Sequence, residues 1–537
     1  MCAIWLYLIK NSNVNIKKLF NNFNNLNGRG PDNLTFNNYN NKFIVGFHRL
    51  SIMDTSINGN QPFIHYVNSK EYYICICNGE IYNANKLKNN LHYKFLSNSD
   101  CEVLIPLYLK YKEKMLDYLD GVFSFSIIHV VNDSYNVFVA RDRIGVRPLF
   151  IGYKNDDICF SSEIKGLDKL FDRIEVFTPG TYLICSDKNI KKHTYYDFNY
   201  NYDLTNNNEQ TIFSNINRLL TESVEKRLIS DRPVCALLSG GLDSSLVCSI
   251  ASRILKKYGK KLYTFSIGME GATDIKYANM VADYIGSIHT VVSLSNREAI
   301  SAIEDVIYTT ETFDITTIRA SVGQYLISKY IGNNSDFKVV LSGDGSDELI
   351  SGYLYNFNAP SDEALHEEAE RRLKEIHLYD SLRADRATSC HGLELRVPFL
   401  DHKFIDYFMS INPKLRHPKF KGSEKYLLRK SFENYLPEEV LWRQKEAFSD
   451  GISSLEDSWF ATIQNYVKDK YSKEDFLKIS SKYNHCCPKT NESLYFRTIF
   501  DKLFDDKYSN VIPSMWMPMW TDTDDPSART IKDIYTK

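Results

Sequence analysis

Seven residues between an apolar run and a helical pattern have the types and order needed to bind a pyrophosphate group. Val234–Leu238 leads into Ser239–Ser245, which reads Ser-Gly-Gly-Leu-Asp-Ser-Ser. The two glycines let the backbone approach an anion, and the helix that follows adds the partial positive charge of its N-terminus. The serines add hydroxyl donors, while Asp243 can hold Mg²⁺. The absence of a following Gly-Lys-Ser/Thr excludes a Walker A loop, and an ordinary strand-to-helix turn is the alternative.

A second glycine-rich loop is acidic. It covers Ser342–Leu349 and follows another strand pattern, Lys338–Leu341. Carboxylates beside a triphosphate are favourable only with a divalent cation between them, so Asp243 and Asp347 could share one Mg²⁺. For this loop alone the alternative is a solvated acidic turn. The two loops together favour a Mg-ATP site.

Cys2 is a candidate nucleophile. The thiolate is the attacking form of cysteine, and a thiol at neutral pH needs a base to produce it. If Met1 is removed, the α-amino group of Cys2 lies beside its own sulfur, and its ordinary pKa of about 7.7–8 suits a general base. Taken alone, a cysteine is more often a small buried hydrophobe.

Strands dominate the first two hundred residues, where Cys2 lies. One helix interrupts them, with apolar residues every three or four positions across 104–115 and Ser99 or Asp100 as its predicted N-cap. This pattern predicts an α+β domain of two antiparallel sheets packed with helices. The predicted strands are β-branched and aromatic runs at Phe43–Phe47, Tyr72–Ile76, Val122–Ile128 and Val137–Ala140.

The pattern changes after Tyr200. A polar stretch, Asn201–Gln210, predicts a linker between domains at 1–200 and 211–537. In the second domain, strands alternate with helices, which predicts an α/β fold with a doubly wound parallel sheet. Ligands bind beyond the carboxyl ends of such strands, where both glycine-rich loops lie. The predicted strands are 234–238, 262–267, 289–292 and 338–341, and the predicted helices include Tyr277–Ile285 and Ala299–Thr309.

Composition narrows the function classes. The chain has 537 residues, a net charge of −2 and 43% hydrophobic residues, which predicts a soluble enzyme of two or more domains. There is no basic excess for nucleic acid and no apolar run long enough for a membrane span. The apolar N-terminus lacks a basic lead, so it predicts a strand and not a signal peptide. Eleven cysteines without zinc-type spacing favour the reducing cytoplasm.

Six motifs follow Cys2 in order and resemble, with it, the N-terminal-nucleophile glutamine amidotransferase domain (class II). The residue types fit this chemistry, because the Arg49 fork can grip the glutamine α-carboxylate while Asp100 and Glu80 take the ammonium. The Asn78 amide and the Gly79 N–H can form an oxyanion hole. The motifs are Arg29–Asp32, His48–Ile52, Asn78–Asn83, Ser99–Glu102, Leu119–Phe123 and Ala140–Leu149. The resemblance adds Leu50, Ser51, Ile52 and Met53 to the glutamine site.

Six further motifs lie in the second half. With the two glycine-rich loops, they resemble glutamine-hydrolysing asparagine synthetases, whose second domain is an ATP-pyrophosphatase. This resemblance covers nearly the whole chain. The motifs are Glu311–Arg319, Gly352–Tyr355, Leu382–Arg386, His391–Asp401, Arg443–Gly451 and Asp525–Thr530.

The resemblance implies a set of ATP-binding residues. Leu237 and Ile267 would line the adenine and ribose pocket, and Arg383 and Lys445 would neutralise the departing pyrophosphate. Arg319 is left open between the aspartate pocket and the phosphates. The full set is Leu237, Ser239, Gly240, Gly241, Asp243, Ser244, Ile267, Ser342, Gly343, Arg383 and Lys445.

One position departs from the family pattern. The second loop usually reads Ser-Gly-Glu-Gly-Ser-Asp-Glu, and Asp344 stands here in place of the first glutamate. The family ties this acid to forming or consuming β-aspartyl-AMP. Aspartate keeps the charge but loses one methylene of reach, which bears on the synthetase rate more than on the fold.

The resemblance implies that Mg-ATP activates aspartate to β-aspartyl-AMP while Cys2 releases ammonia from glutamine for the second site. The partners would then be small molecules, with ATP and Mg²⁺ as cofactors, and a homodimer is left open. Two alternatives stay open. One is an amide former similar to β-lactam synthetases, which lack a working N-terminal cysteine. The other is a catalytically inactive binding protein.

Overall fold

The computed structural model describes residues 1–10, 14–186, 189–205, 207–444, 452–453, 458–523 and 525–526. Within these residues, every helix is too short or too polar to cross a membrane.

The amino-terminal domain contains two six-stranded antiparallel sheets, as predicted. Their strand orders are β10-β8-β9-β1-β3-β2 and β12-β11-β7-β6-β5-β4. The strands are β1 (Ala3–Leu8), β2 (Asn33–Tyr39), β3 (Phe43–Arg49), β4 (Phe63–Asn68), β5 (Glu71–Ile81), β6 (Gly121–Val131), β7 (Ser134–Arg141), β8 (Phe150–Lys154), β9 (Asp157–Ser161), β10 (Arg173–Val176), β11 (Thr181–Ser186) and β12 (Ile190–Thr194).

Strand β1 shows how the two sheets share their core. Alternate side chains of a strand point to opposite faces. Ile4 and Leu6 pack into the apolar layer that also holds Ile74 and Ile128 of the other sheet. Trp5 packs on the opposite face in the large core that continues into the carboxy-terminal domain. Both faces of β1 are therefore buried, which explains why the run is apolar at every position.

The helix predicted across 104–115 is shorter than expected, and its predicted N-cap is wrong. It begins at Leu104 and ends at Tyr111, because Lys112 takes a left-handed φ of 51° and the chain continues as 3₁₀ turns. Pro106 lies in the first turn of this helix, where backbone N–H groups have no partner within the helix, so the N–H that proline lacks is not needed there. The helices of this domain are α1 (Ile16–Asn24), α2 (Ala84–Asn89) and α3 (Leu104–Tyr111).

The carboxy-terminal domain has a parallel sheet in the order β15-β14-β13-β16-β17, and its parallel pairing agrees with the predicted fold. The four predicted strands are present. The prediction missed β17, which has only three residues and therefore shows no alternation. The strands are β13 (Val234–Leu237), β14 (Tyr263–Gly268), β15 (Ile288–Ser293), β16 (Val339–Leu341) and β17 (Glu394–Arg396).

Helices surround this sheet. The predicted helix Ala299–Thr309 is two helices that meet at Ala302. The helices are α4 (Glu209–Lys226), α5 (Leu242–Lys257), α6 (Thr273–Ile285), α7 (Asn296–Ser301), α8 (Ile303–Thr310), α9 (Ile315–Asn334), α10 (Ser346–Ile350), α11 (Asp362–Glu375), α12 (Asp380–Ser389), α13 (His402–Ser410), α14 (Pro413–Arg416), α15 (Tyr426–Ser431), α16 (Glu438–Leu441), α17 (Trp459–Val467), α18 (Lys473–Ser480) and α19 (Asn491–Leu503).

The two domains are joined by ten buried charged side chains that alternate in sign. We call this series the interdomain ion chain. Successive partners lie 2.6 to 3.8 Å apart, and each side chain is at most 8% exposed. In order they are Arg386, Glu311, Lys165, Glu163, Arg29, Asp385, Arg147, Glu394, Arg396 and Glu80.

A substitution of Glu311 tests how much the interdomain ion chain contributes to the stability of the protein. The Glu311 carboxylate pairs with Arg386 at 2.8 Å and accepts the backbone N–H groups of Ile164 and Lys165. Glu311→Gln removes the negative charge that faces the buried cations Arg386 and Lys165. Removing one partner of a buried ion pair costs about 3–5 kcal/mol of stability. We expect the free energy of unfolding in urea to fall by that amount. The matched Glu304→Gln breaks only the exposed pair with Lys502, so its change should stay below about 1 kcal/mol. Equal effects of the two substitutions would contradict this account.

Candidate active sites

Cys2 lies at the start of β1 beside β3, next to the predicted glutamine-binding residues. The Leu50 N–H points at its sulfur at 3.4 Å, and the thiol lies 3.6 Å from the Leu50 carbonyl. Arg29 Nε donates to the Cys2 carbonyl at 2.9 Å. Burial raises the pKa of the Cys2 thiol to about 11 in the chain that keeps Met1. The thiol therefore needs a nearby base to become a nucleophile at neutral pH.

The Met1 amine occupies a buried position next to the carboxy-terminal domain. It donates to the Leu393 carbonyl at 2.9 Å, and burial lowers its pKa to about 5. Such an amine is neutral at pH 7. When Met1 is removed, the terminal amine becomes that of Cys2, one residue closer to the sulfur.

The predicted oxyanion hole lies on β5. The Asn78 side chain is fully buried, and neither its amide nitrogen nor its amide oxygen has a hydrogen-bond partner among the described residues. A buried amide without partners costs about 1–3 kcal/mol, which a bound polar ligand would offset. Gly79 is required by packing, because a Cβ there would lie 2.3 Å from the Val122 carbonyl oxygen.

The charged residues predicted to hold glutamine are already engaged. The Arg49 guanidinium donates to the Ser56 carbonyl at 2.8 Å and to Asn60 Oδ1 at 2.6 Å. Asp100 accepts the Ile81 N–H at 2.6 Å, and burial raises the pKa of its carboxyl.

Glu80 differs from the other two because its partner lies in the second domain. It faces Arg396 at 3.1 Å. Burial, with the charge of Glu394 behind it, raises the pKa of the Glu80 carboxyl well above its usual range. The predicted glutamine site therefore contacts the carboxy-terminal domain.

The apolar side of the glutamine site also reaches that domain. Leu50 and Ile52 are buried against Val339 on β16, with Cys2 and Met53 packed around them. The backbone of Ser51 is fixed because its N–H donates to Asp32 Oδ2 at 2.7 Å. Residues 50–53 thus lie between the nucleophile and the sheet that carries the second site.

Both glycine-rich loops line one cleft, as the sequence predicts. The first loop joins β13 to α5 and the second joins β16 to α10, so both lie at carboxyl ends of neighbouring strands. The predicted residues that line this cleft are Leu237, Ser239, Gly241, Asp243, Ser244, Ser342, Gly343, Asp344, Asp347 and Arg383.

Gly343 allows the loops to approach this closely, and Gly240 allows the first loop to lie against α6. A Cβ on Gly343 would lie 2.6 Å from the Ser244 backbone nitrogen, so only glycine fits between the loops. Gly240 has a left-handed φ of 79°, which favours glycine. Ser239 and Ser244 join their hydroxyls at 2.8 Å at the start of α5. Ile267 is buried on β14, the strand next to β13.

A lysine that the sequence analysis missed links the two loops. Lys425 Nζ lies 2.6 Å from a carboxylate oxygen of Asp243 and 2.6 Å from one of Asp347. Its side chain is 1% exposed. Asp243 and Asp347, the two acids predicted to share Mg²⁺, thus both face the ammonium group of Lys425 where the two loops meet.

Asp344 is held on both carboxylate oxygens. Arg383 donates to one at 2.8 Å, and the Ser342 hydroxyl donates to the other. Arg383 also bonds Gln324 at 2.6 Å and faces Asp380 at 3.2 Å. Asp344 is thus a fixed residue of the cleft wall rather than a solvated turn acid.

Comparisons with known proteins decide between the families that such a pair of sites fits. The asparagine synthase family model matches residues 215–362 and 357–522, and the glutamine amidotransferase domain model matches residues 1–172. The chain is 43% identical to the glutamine-hydrolysing asparagine synthetase of Gallus gallus over 99% of both chains. It belongs to the asparagine synthase family. The Homo sapiens relative of the same name is 41% identical over 99% of this chain and 98% of its own.

Within this family member, Arg319, which the sequence left open between the aspartate pocket and the phosphates, is engaged in two ion pairs. It pairs with Glu492 at 2.5 Å and with Asp525 at 2.9 Å, so its guanidinium anchors the end of the described chain instead of lining the cleft. Lys445, predicted at the pyrophosphate, lies outside the described residues. Lys425 and Gln324 could be found only from the structure, because neither belongs to a glycine-rich or acidic motif.

The raised pKa of the Cys2 thiol gives a prediction for pH dependence. With Met1 retained, by expression under inhibition of methionine aminopeptidase, iodoacetamide should modify Cys2 on the order of a hundredfold more slowly than the exposed Cys487 at pH 7.5. A thiol whose pKa is raised is neutral below that pKa, so the rate should climb about tenfold per pH unit towards pH 11. Mass spectrometry of the two peptides measures both rates. Equal rates at pH 7.5 would show that Cys2 is not shielded.

Proposed function

We propose that this chain is a glutamine-hydrolysing asparagine synthetase, which converts ATP, L-aspartate and L-glutamine to L-asparagine, L-glutamate, AMP and diphosphate. The observation that carries the proposal is the pairing of two sites in one chain. Cys2 lies beside Leu50, and the same domain holds the Asn78 amide, which has no hydrogen-bond partner in the described part of the chain. Two glycine-rich loops share a cleft in the other domain. Family membership along nearly the whole chain supports it.

In the first domain, the Cys2 sulfur attacks the glutamine carboxamide carbon. The C–N bond breaks, ammonia leaves, and a γ-glutamyl thioester remains until water hydrolyses it to glutamate. The α-amine freed by loss of Met1 takes the thiol proton. Asn78 and the Gly79 N–H stabilise the oxyanion, since the amide of Asn78 has no protein partner among the described residues.

Recognition of glutamine uses the charges around Cys2. Arg49 exchanges its hydrogen bonds to the oxygens of its own loop for hydrogen bonds to the α-carboxylate of glutamine. Asp100 and Glu80 bind the α-ammonium group. Leu50, Ile52 and Met53 form an apolar wall beside Cys2.

In the second domain, a β-carboxylate oxygen of aspartate attacks the α-phosphorus of ATP, and diphosphate leaves. Ammonia then attacks the carbonyl carbon of β-aspartyl-AMP, and AMP leaves as the amide forms. The serine hydroxyls and backbone N–H groups at the start of α5 bind the phosphates. Arg383 neutralises charge on the departing diphosphate, together with Lys445.

Asp243 and Asp347 are the residues that would hold Mg²⁺. They fit a cation because both already face the ammonium of Lys425 within 2.6 Å. Carboxylates plus ATP phosphate oxygens form the oxygen ligand set that Mg²⁺ prefers, and the bound ion would neutralise the triphosphate. Lys425 keeps the two acids together before ATP arrives.

The first domain ends near residue 200 and the second begins near residue 211. Ammonia passes from one site to the other inside the protein. Cys2 and Leu50 pack near Val339 of the second domain's sheet, so ammonia would be released beside that domain, which supports this route. We place the enzyme in the cytoplasm because all eleven cysteines are free thiols, which a reducing compartment preserves.

A diphosphate-release assay tests the proposal. With ATP and aspartate present, asparagine should accumulate only when glutamine or ammonia is supplied. The amount of asparagine formed should then equal the amount of diphosphate released. Failure to form asparagine from either nitrogen source would overturn it.

Substitution of Cys2 separates the two half-reactions. Cys2→Ala deletes the nucleophile and nothing in the cleft, so glutamine-dependent synthesis should fall by at least a thousandfold while ammonia-dependent synthesis stays within twofold. Cys185→Ala, at a buried thiol on β11 of the same domain, is the matched control and should keep both activities. Glutamate release at the wild-type rate by Cys2→Ala would contradict the assignment.

Asp344 tests the synthetase half. Asp344→Ala removes the carboxylate held by Arg383 and should lower asparagine formation about a hundredfold or more, because this acid must meet its target within hydrogen-bond reach. Glutaminase activity should survive.

Asp344→Glu restores the residue usual in the family and should keep or raise the synthesis rate. Steady-state asparagine formation by both variants decides the matter. Near-normal synthesis by Asp344→Ala would show that Asp344 has no catalytic role.

A further inference from the structure

An irregular segment near the carboxy-terminus, residues 513–520, packs behind one wall of the nucleotide cleft. We call it the carboxy-terminal strap. Its eight residues are all described, and they belong to no helix or strand. The Tyr379 hydroxyl donates to the Ser514 carbonyl at 2.8 Å, and Arg372 donates to the Met517 carbonyl at 2.6 Å. The strap is therefore fixed to α11 and to the residue that precedes α12.

Trp516 is the buried centre of the strap, with 6% of its surface exposed. Its ring meets the Tyr353 ring edge-on, with the centroids 5.4 Å apart, and the Arg372 guanidinium lies 4.2 Å from the indole. Its backbone N–H donates to Asp314 Oδ2 at 2.8 Å, and Asp314 is the N-cap of α9. Trp516 thus contacts Tyr353 with its ring and the start of α9 with its backbone.

Both of these contacts reach side chains that line the cleft. Tyr353 itself lines it, and its hydroxyl donates to Glu348, which lines it too. The first half of α9 supplies Thr316 and Gln324 to the same cleft. The strap therefore lies directly behind the cleft wall and touches two of the elements that form it.

Glu348 is suited to bind a positive group of a ligand. Burial, with the charges of Asp380 and Asp347, raises the pKa of its carboxyl well above the usual range. Acids placed this close together repel each other unless a cation lies among them. Aspartate brings an ammonium group to this cleft, and ATP brings none. A hydrogen bond that fixes Glu348 would therefore favour aspartate more than ATP.

We propose that Trp516 is a positioning residue for the aspartate substrate, because it holds the Tyr353 ring where its hydroxyl orients Glu348 towards the α-ammonium group. This inference rests on the proposed function and deepens it at the synthetase site. Trp516 acts through Tyr353 and itself touches neither substrate.

The experiment measures ammonia-dependent asparagine formation by the full chain, which leaves the glutamine site out of the measurement. Trp516→Ala should raise KM for aspartate about tenfold or more, because a hydrogen bond to a charged group is worth a factor of that order. KM for ATP should stay within about twofold of the wild-type value, since the phosphates bind at Ser239–Ser245. A general loss of structure would not separate the two constants.

Two further variants follow the contact from the strap to the acid. Trp516→Phe keeps an aromatic ring against Tyr353 and should bring KM for aspartate back to within about threefold of the wild-type value. Tyr353→Phe removes only the hydroxyl that donates to Glu348, and it should raise KM for aspartate as Trp516→Ala does. It decides the question if Trp516→Ala folds poorly. Because the two residues act in series, the double variant should be no weaker than the worse single variant.

Trp520→Ala is the matched control. It removes an indole from the same strap, where the ring meets Tyr355 at 6.2 Å, and it should leave KM for both substrates within about twofold. An unchanged KM for aspartate in both Trp516→Ala and Tyr353→Phe, an equal rise in Trp520→Ala, or multiplied effects in the double variant would overturn the positioning role. A wild type that makes no asparagine would overturn the proposed function instead.

Discussion

The buried ion chain between the domains is the constraint on which the rest of the structure depends. Isolated charges are costly to bury, and a buried charge is tolerated when an opposite charge and hydrogen bonds compensate it. Here five basic and five acidic side chains balance as a set. The first domain supplies three cations and two anions, and the second supplies two cations and three anions. Neither half is neutral alone, so these buried charges balance only when the two domains are docked.

That arrangement places the glutamine site against the second domain. Arg29 holds the Cys2 carbonyl and Glu80 faces Arg396, and both residues belong to the ion chain. The Met1 amine reaches the Leu393 carbonyl in the same interface. Cys2 is therefore positioned by contacts from both domains.

The nucleotide cleft depends on a second close approach. Gly343 lets its loop reach the backbone of Ser244, and this brings Asp243 and Asp347 near enough to share Lys425. Two carboxylates this close repel each other unless a cation lies between them. Glycine and lysine thus act together: the first permits the approach and the second makes it electrostatically stable until ligands bind.

The sequence alone determined the parts whose signals are local. Strand periodicity, the two glycine-rich loops and Cys2 predicted the sheets, the cleft and the nucleophile, because each depends on neighbours along the chain. It overextended the helix across 104–115, and it missed the three-residue β17, where the pattern is too short to read. Only the tertiary structure decided which charges meet. Arg319 pairs with Glu492 and Asp525, Lys425 joins two loops, and Asp385 reaches Arg29, 356 residues away. Ion pairing acts through space, and the spacing of charges along a sequence does not record which domain face each will occupy.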